Sequence, residues 1–151
     1  MRWDLDELAA SLKITEEQVR TYFKDGRRSG FLVETRIVNE NPALAPAPKN
    51  AVFDARDGED MWEIRTITGN GVSFIPSVDR GGGRKFDPVR FEQKLHDVAG
   101  FIVCDVSKFP AVPYWSIPSR VIAKWHYNGV ISSGAFSYGK AMKAIKDLYD
   151  D

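Results

Sequence analysis

NAVFDARDGEDMWEIRTIT, residues 50–68, reads as two short strands joined by a tight turn. Ala51 to Ala55 is apolar apart from Asp54 near its end. The Asp57-Gly58 pair is a strong hairpin signal, because glycine tolerates the positive φ that such turns need. Met61 to Thr68 alternates, sending Glu63, Arg65 and Ile67 to one face and Trp62, Ile64, Thr66 and Thr68 to the other. A turn centred near Gly58-Glu59 sets Asp54 opposite Glu63 across the ladder. Two carboxylates and the Arg65 cation then share one patch at a strand end. Carboxylates held together repel, so such a pair calls for a divalent cation or a shared proton.

Downstream, Gly69-Asn70-Gly71 is a second tight-turn signal, and Val72 to Ile75 is a third strand stopped by Pro76. The three strands are expected to form an antiparallel meander. Gly81 to Gly83, set between Arg80 and Arg84-Lys85, make a cationic loop that lacks the spacing of a Walker A motif. It suits a phosphate backbone, since glycine permits close approach and Arg or Lys supplies charge; the alternative is a plain exposed loop. Asp87-Pro88 opens a helix whose core face is Phe91, Leu95 and Val98. His96 lies on that helix with His126 thirty residues on, which gives little support to a His-based metal site or a Ser-His-Asp triad. Gly100 to Val106 is the most apolar strand and is expected to be central and buried on both faces. Ala111 to Ile117 follows as an edge strand marked by Pro113, then a helix from Pro118. Ser137 to Tyr149 is an amphipathic helix with Lys140, Lys143 and Lys146 on its polar side, read as a solvated face.

Upstream, Asn41 to Lys49 carries three prolines in nine residues and reads as an extended connection. Arg27 to Asn39 reads as a helix with Phe31, Leu32, Ile37 and Val38 on its apolar face, although residues 33–36 also suit a strand. Asp4 to Lys13 is a helix with acids in its first turn. Thr15-x-x-Gln18 has the form of a capping box for a second helix with Val19, Tyr22 and Phe23 on its apolar face, ended by Gly26. The two resemble a helix-turn-helix, whose second helix would offer Gln18, Arg20, Thr21 and Lys24 to a DNA groove. The alternative is a hairpin that only packs on the main domain.

At 151 residues, 43% hydrophobic and 12% aromatic, the chain has enough apolar surface for a real core. Basic and acidic residues balance at 21 each, so no global charge advertises a nucleic-acid binder, and only the placement of charge can make one. Cys104 lies alone in an apolar run, as a buried core thiol does. No stretch has the form of a signal peptide or a membrane span, and the expectation is a soluble, cytoplasmic protein.

An Asp, a short hairpin and then Glu-x-Lys on the next strand is the signature of the PD-(D/E)xK nucleases. Asp54 and Glu63-Ile64-Arg65 resemble it, with Arg65 where the family usually carries Lys. The order helix, buried strand, short turn, edge strand, helix after residue 87 resembles the second half of that core, so the likeness spans roughly residues 27 to 135. It implies an α+β, restriction-endonuclease-like domain at residues 27–151, with a mixed sheet, a catalytic hairpin and flanking helices, and a small helical hairpin at 1–26. It implies a metal-dependent endonuclease acting on double-stranded DNA, with Asp54, Glu63 and Arg65 catalytic. Asp54 and Glu63 would hold Mg²⁺ or Mn²⁺, with Glu34 from the preceding helix the matching third candidate; the alternative for Glu34 is a solvated helix acid or a partner for Arg36. Arg20, Lys24, Arg80, Arg84 and Lys85 are the candidate nucleic-acid contacts, with Lys124 a further rim cation. A homodimer, one site per strand, follows by analogy. The rival readings are a non-catalytic DNA-binding or assembly protein of the same fold, and a structural module whose acids form surface ion pairs.

Overall fold

The computed structural model describes residues 1–80 and 85–150. Among them are six α-helices and a mixed five-stranded sheet. Helix α1 (Leu5–Leu12) starts at Asp4, whose side chain accepts the Glu7 N–H. Helix α2 (Glu16–Lys24) carries the expected capping box: Thr15 accepts from Gln18 N–H, and the Gln18 side chain accepts from Thr15 N–H.

Helix α3 (Gly26–Glu40) begins one residue after α2. The expected stop at Gly26 is instead made by Asp25, which adopts an extended conformation (φ −85°, ψ 98°) and caps the next helix through Arg27 N–H. Gly26 serves packing: a Cβ there would lie 2.2 Å from Thr66 Oγ1. The buried face of α3 is Ser29, Val33 and Ile37, spaced by four; of the expected apolar face Ile37 is buried, while Phe31 and Leu32 are exposed. Ser29 can be buried because its hydroxyl donates to the Phe23 carbonyl.

Strand β1 (Ala45–Pro46) falls in the proline-rich connection and pairs antiparallel with β2 (Ala55–Asp57). Strand β3 (Asp60–Ile67) follows a two-residue turn in which Gly58 takes φ +60°. The register Ala55↔Trp62 sets Asp54 across from Glu63, and Asp54 N–H donates to the Trp62 carbonyl. Regular strand structure begins only at Ala55, later than the expected Ala51.

Strand β4 (Val72–Ser73) departs from the expected meander. The Gly69-Asn70-Gly71 turn does close, with paired bonds between Thr68 and Gly71. The edge of β3 from Trp62 to Ile67, however, is taken by β5 (Gly100–Asp105) in parallel register. Strand β4 pairs instead with β7 (Ala135–Phe136) as a separate ribbon. A parallel pair needs a long crossover, and here it carries α4 (Pro88–Asp97), capped by Asp87. Strand β5 is buried at every position and is also paired antiparallel with β6 (Tyr114–Pro118), giving the order β1-β2-β3-β5-β6. Helices α5 (Ser119–Tyr127) and α6 (Tyr138–Tyr149) complete the chain.

The two faces of β5 feed two apolar clusters. Phe101 and Val103 join Ile67, Phe91, Ile122 and Ile145, beneath α4, α5 and α6. Ile102 and Cys104 join Leu5, Val19, Phe23, Val33 and Phe109, beneath α1, α2 and α3. The helices therefore cover the sheet on both sides. Residues on either side of position 26 share the second cluster: Phe23 stacks on Phe109 with centroids 4.2 Å apart and tilts against Trp3 at 4.9 Å. The helix-turn-helix-like pair spends the apolar face of α2 on the body of the molecule, while Gln18 and Thr21 bond within their own helix. Among the described residues, no helix is long and apolar enough to cross a membrane.

Phe23→Ala is expected to cost about 3–5 kcal/mol, as truncations of buried aromatics do. Chemical denaturation followed by both far-ultraviolet ellipticity and tryptophan fluorescence should show one shifted transition, since Trp3 and the sheet share this cluster. A separate early transition in the variant would show the first two helices to be an independent unit.

Candidate functional site

Strand β2 pairs with β3 only as far as Trp62, and the β3 residues beyond it, Glu63 to Thr66, line an open groove of about 1240 Å³. Glu63 lies at its floor with 4% of its surface exposed. A buried carboxylate requires partners, and Glu63 has two. Its Oε1 accepts from Lys94 Nζ at 2.5 Å, and its Oε2 lies 3.2 Å from Arg65 Nη2. Lys94 Nζ also donates to the Val52 carbonyl, and Arg65 Nη2 to the Ile75 carbonyl at 3.0 Å. The Arg65 Nε is buried without a hydrogen-bond partner among the described residues. Burial pushes the Arg65 guanidinium down from its ordinary value; Glu63 and Asp54 oppose that shift, and Arg80 adds to it.

Asp54 arrives from the other side of the hairpin, its Oδ2 accepting the Ile64 N–H at 2.8 Å. Burial raises its carboxyl above the usual range and the charge of Glu63 adds to this, while the Ile64 N–H, Arg65 and Lys94 pull it back. Glu34 enters from α3. Its carboxyl is raised to about 7 by burial first, then by the charges of Asp54 and Glu63. The structure thus brings Asp54, Glu63, Arg65 and Glu34 together, as the sequence placed them. These residues line the groove with Lys24 and Arg80, two of the expected nucleic-acid contacts, and with Arg27 and Arg90.

Other expected contacts lie elsewhere. Arg20 lines a separate cleft with Arg2, Asp4, Asp6 and Glu16. Lys85 and Lys124 are exposed and do not line the groove. Arg84 and Gly81 to Gly83, from the expected cationic loop, lie outside the described residues. His96 is exposed on α4. Cys104 is buried as expected, its thiol pushed up to about 12 by burial and by the nearby Asp105 and Glu34.

Lys94 is the groove residue that sequence reading missed. Phe91, Lys94, Leu95 and Val98 follow the i, i+3, i+4, i+7 spacing of one helical face. A lysine inside an otherwise apolar stripe was the available signal that this face meets a buried acid.

Comparison with known proteins gives no protein-family model that matches the chain and no similar curated protein. The site is therefore read from its own chemistry. Asp54, Glu63 and Glu34 offer hard oxygen donors, two of them with raised carboxyls, and such a set suits Mg²⁺ or Mn²⁺ rather than a softer metal. Among the described residues, no three His, Cys, Asp or Glu side chains stand in a ready metal-holding group. Both Glu63 oxygens face cations instead.

The raised Glu34 carboxyl makes stability depend on pH. The folded chain keeps this proton up to about 7, whereas the ordinary value is 4.5. The contribution is therefore fully present below pH 4.5 and is lost as pH rises through 7. Without added metal, the thermal midpoint of the wild type is expected to fall across that window relative to Glu34→Gln. Asp54 leaves a smaller slope of the same sign in the variant. Parallel midpoint–pH curves for the two proteins would refute the assignment.

Proposed function

We propose that the groove is the active centre of a metal-dependent endodeoxyribonuclease that hydrolyses phosphodiester bonds in DNA. The observation that carries this reading is the convergence of Asp54, Glu63 and Glu34 beside the buried Arg65 and the half-buried Lys94, in a groove also lined by Lys24 and Arg80 and by Arg27 and Arg90, which pair with Asp25 and with Asp79 and Asp87. Asp54, Glu63 and Glu34 would hold Mg²⁺ or Mn²⁺, which when bound supplies charge stabilisation at the scissile phosphate and lowers the pKa of water. The rim cations draw in the phosphate backbone. Arg65, fixed by Glu63 and the Ile75 carbonyl, presents a positive charge that can hydrogen-bond a phosphate oxygen. A guanidinium stays protonated and cannot exchange a proton with water. An ammonium can, and Lys94 Nζ is held against Glu63 in the same groove. Lys94 thus takes the part that the resemblance gives to the lysine replaced by Arg65, with Arg65 kept for electrostatics.

A second reading is a DNA-binding or assembly protein that retains the groove without cutting. It is favoured by the occupation of both Glu63 oxygens by cations, since a metal must displace at least one of them.

Plasmid cleavage in Mg²⁺ or Mn²⁺ separates the two. Truncating Glu63 to Ala would strand the buried Arg65 and the half-buried Lys94 at a cost of about 3–5 kcal/mol, so gentler variants serve better. Asp54→Asn and Lys94→Met are each expected to lower the cleavage rate by about 100-fold or more. Lys94→Arg should keep the ion pair and the fold without restoring the rate. Failure to cut plasmid, single strand and bubble-containing duplex alike, with salt-sensitive binding in Ca²⁺, would establish the non-cutting reading instead.

A further inference from the structure

The groove that holds the acids also exposes apolar surface. Phe31 on α3 is 75% exposed, Val52 is 75% exposed and Val78 is 62% exposed, and all three line it. Their neighbours are charged. Val52 carries the carbonyl that receives Lys94 Nζ, and Val78 lies two residues before Arg80. On α3 the groove-lining residues Arg27, Phe31 and Glu34 follow helical spacing: a cation at the outer end, an aromatic ring in the middle and a carboxyl at the inner end. Gly30 beside them has open space where a side chain would stand. Phe31 precedes Glu34 by one turn, about 5 Å along the helix axis.

An intact duplex has no use for this ring. Its outward surface along the backbone is phosphate and sugar, its base faces are stacked away, and an exposed phenyl beside phosphates gains nothing. A strand with unpaired bases offers a π-face for each nucleotide, and aromatic rings interleaved with cations are how sequence-tolerant single-strand sites are built. We infer that the groove takes DNA with an unpaired base at the cutting position, and that Phe31 is the platform on which this base stacks. The inference rests on the nucleic-acid reading of the groove and names its substrate class: single strands, flaps, or duplexes opened at the site. The rim cations Lys24 and Arg80 hold the flanking phosphates. Phe31 holds the base whose phosphate lies one helical turn inward, toward Glu34, Asp54 and Glu63.

The test measures binding in Ca²⁺ with a fluorescent 20-nucleotide single strand, the matching duplex, and the duplex with a central unpaired bubble. A parallel set carries the fluorescent base 2-aminopurine in the strand. The wild type should bind strand and bubble at least about 10-fold more tightly than duplex, and quench 2-aminopurine as stacking does. Phe31→Ala should weaken strand and bubble binding by roughly 5- to 150-fold, the range that stacking of one base supports. It should abolish the quenching and leave duplex affinity unchanged, while Phe31→Trp should restore both. Lys24→Ala with Arg80→Ala should weaken all three substrates alike and reduce the salt dependence. Equal affinity for strand and duplex, or Phe31→Ala acting on neither, would overturn the stacking inference and leave the nucleic-acid reading standing. Binding of none of the three substrates would overturn both. A wild-type dimer in sedimentation that Phe31→Asp dissociates would show the ring to be covered by a second copy, and would also overturn the inference.

Discussion

A carboxylate buried at the floor of a groove constrains everything around it. Burial of the Glu63 carboxylate there requires cations in contact. One comes from its own strand two residues on, where the alternation of β3 returns Arg65 to the same face. The other comes from α4, which must lie close enough for Lys94 to reach. Each cation is then held by a backbone carbonyl: Arg65 by Ile75 after the tight turn, Lys94 by Val52 before the hairpin. A single side chain thereby ties together the β2–β3 hairpin, the crossover helix and both segments that frame the groove. Removing it would release all of them at once.

The parallel pairing of β3 with β5 makes this geometry reachable. It takes the far edge of β3, forces the chain through a long crossover, and so delivers α4 to the face that carries Glu63. Strand β2 covers the near edge only to Trp62. The same strand face that is apolar at Ile67, packed with Phe101 and Val103, is charged at Glu63 and Arg65 where the cover ends. Core and groove are two halves of one alternating strand, which is why neither can be altered without the other responding.

Local chemistry was legible in the sequence. The Asp57-Gly58 signal fixed a two-residue turn, and the turn alone fixed the Asp54–Glu63 relation. The Thr15–Gln18 box and the Asp87-Pro88 start were equally local and were found where expected. Contacts between distant segments were not legible. The meander failed because β5, some thirty residues on, competes for the edge of β3. The α3 face was misread because Phe31 and Leu32 look like core by type. The helix instead turns Val33 and Ile37 inward and leaves Phe31 to the groove. Gly26 was taken as a helix end, though its role is the close approach of α3 to Thr66. Lys94 was passed over because a lysine on an apolar stripe makes sense only once the opposing acid is known.

Burial, and after it the neighbouring charges, raise the Asp54 and Glu34 carboxyls. Asp54, Glu63 and Glu34 set three potential negative charges against the two positive charges of Arg65 and Lys94. Burial first, and then the charges of Asp54 and Glu63, keep a proton on Glu34 up to about pH 7. With that proton bound, the five groups sum to zero. Without it, one uncompensated negative charge sits in a half-buried site. On the proposed reading, a divalent cation would cancel this charge and stand in the proton's place. On that reading, cation entry and release of the Glu34 proton would be two sides of one electrostatic balance. That balance is a physical reason for acids and bases to crowd together at the end of a strand that could otherwise have been apolar.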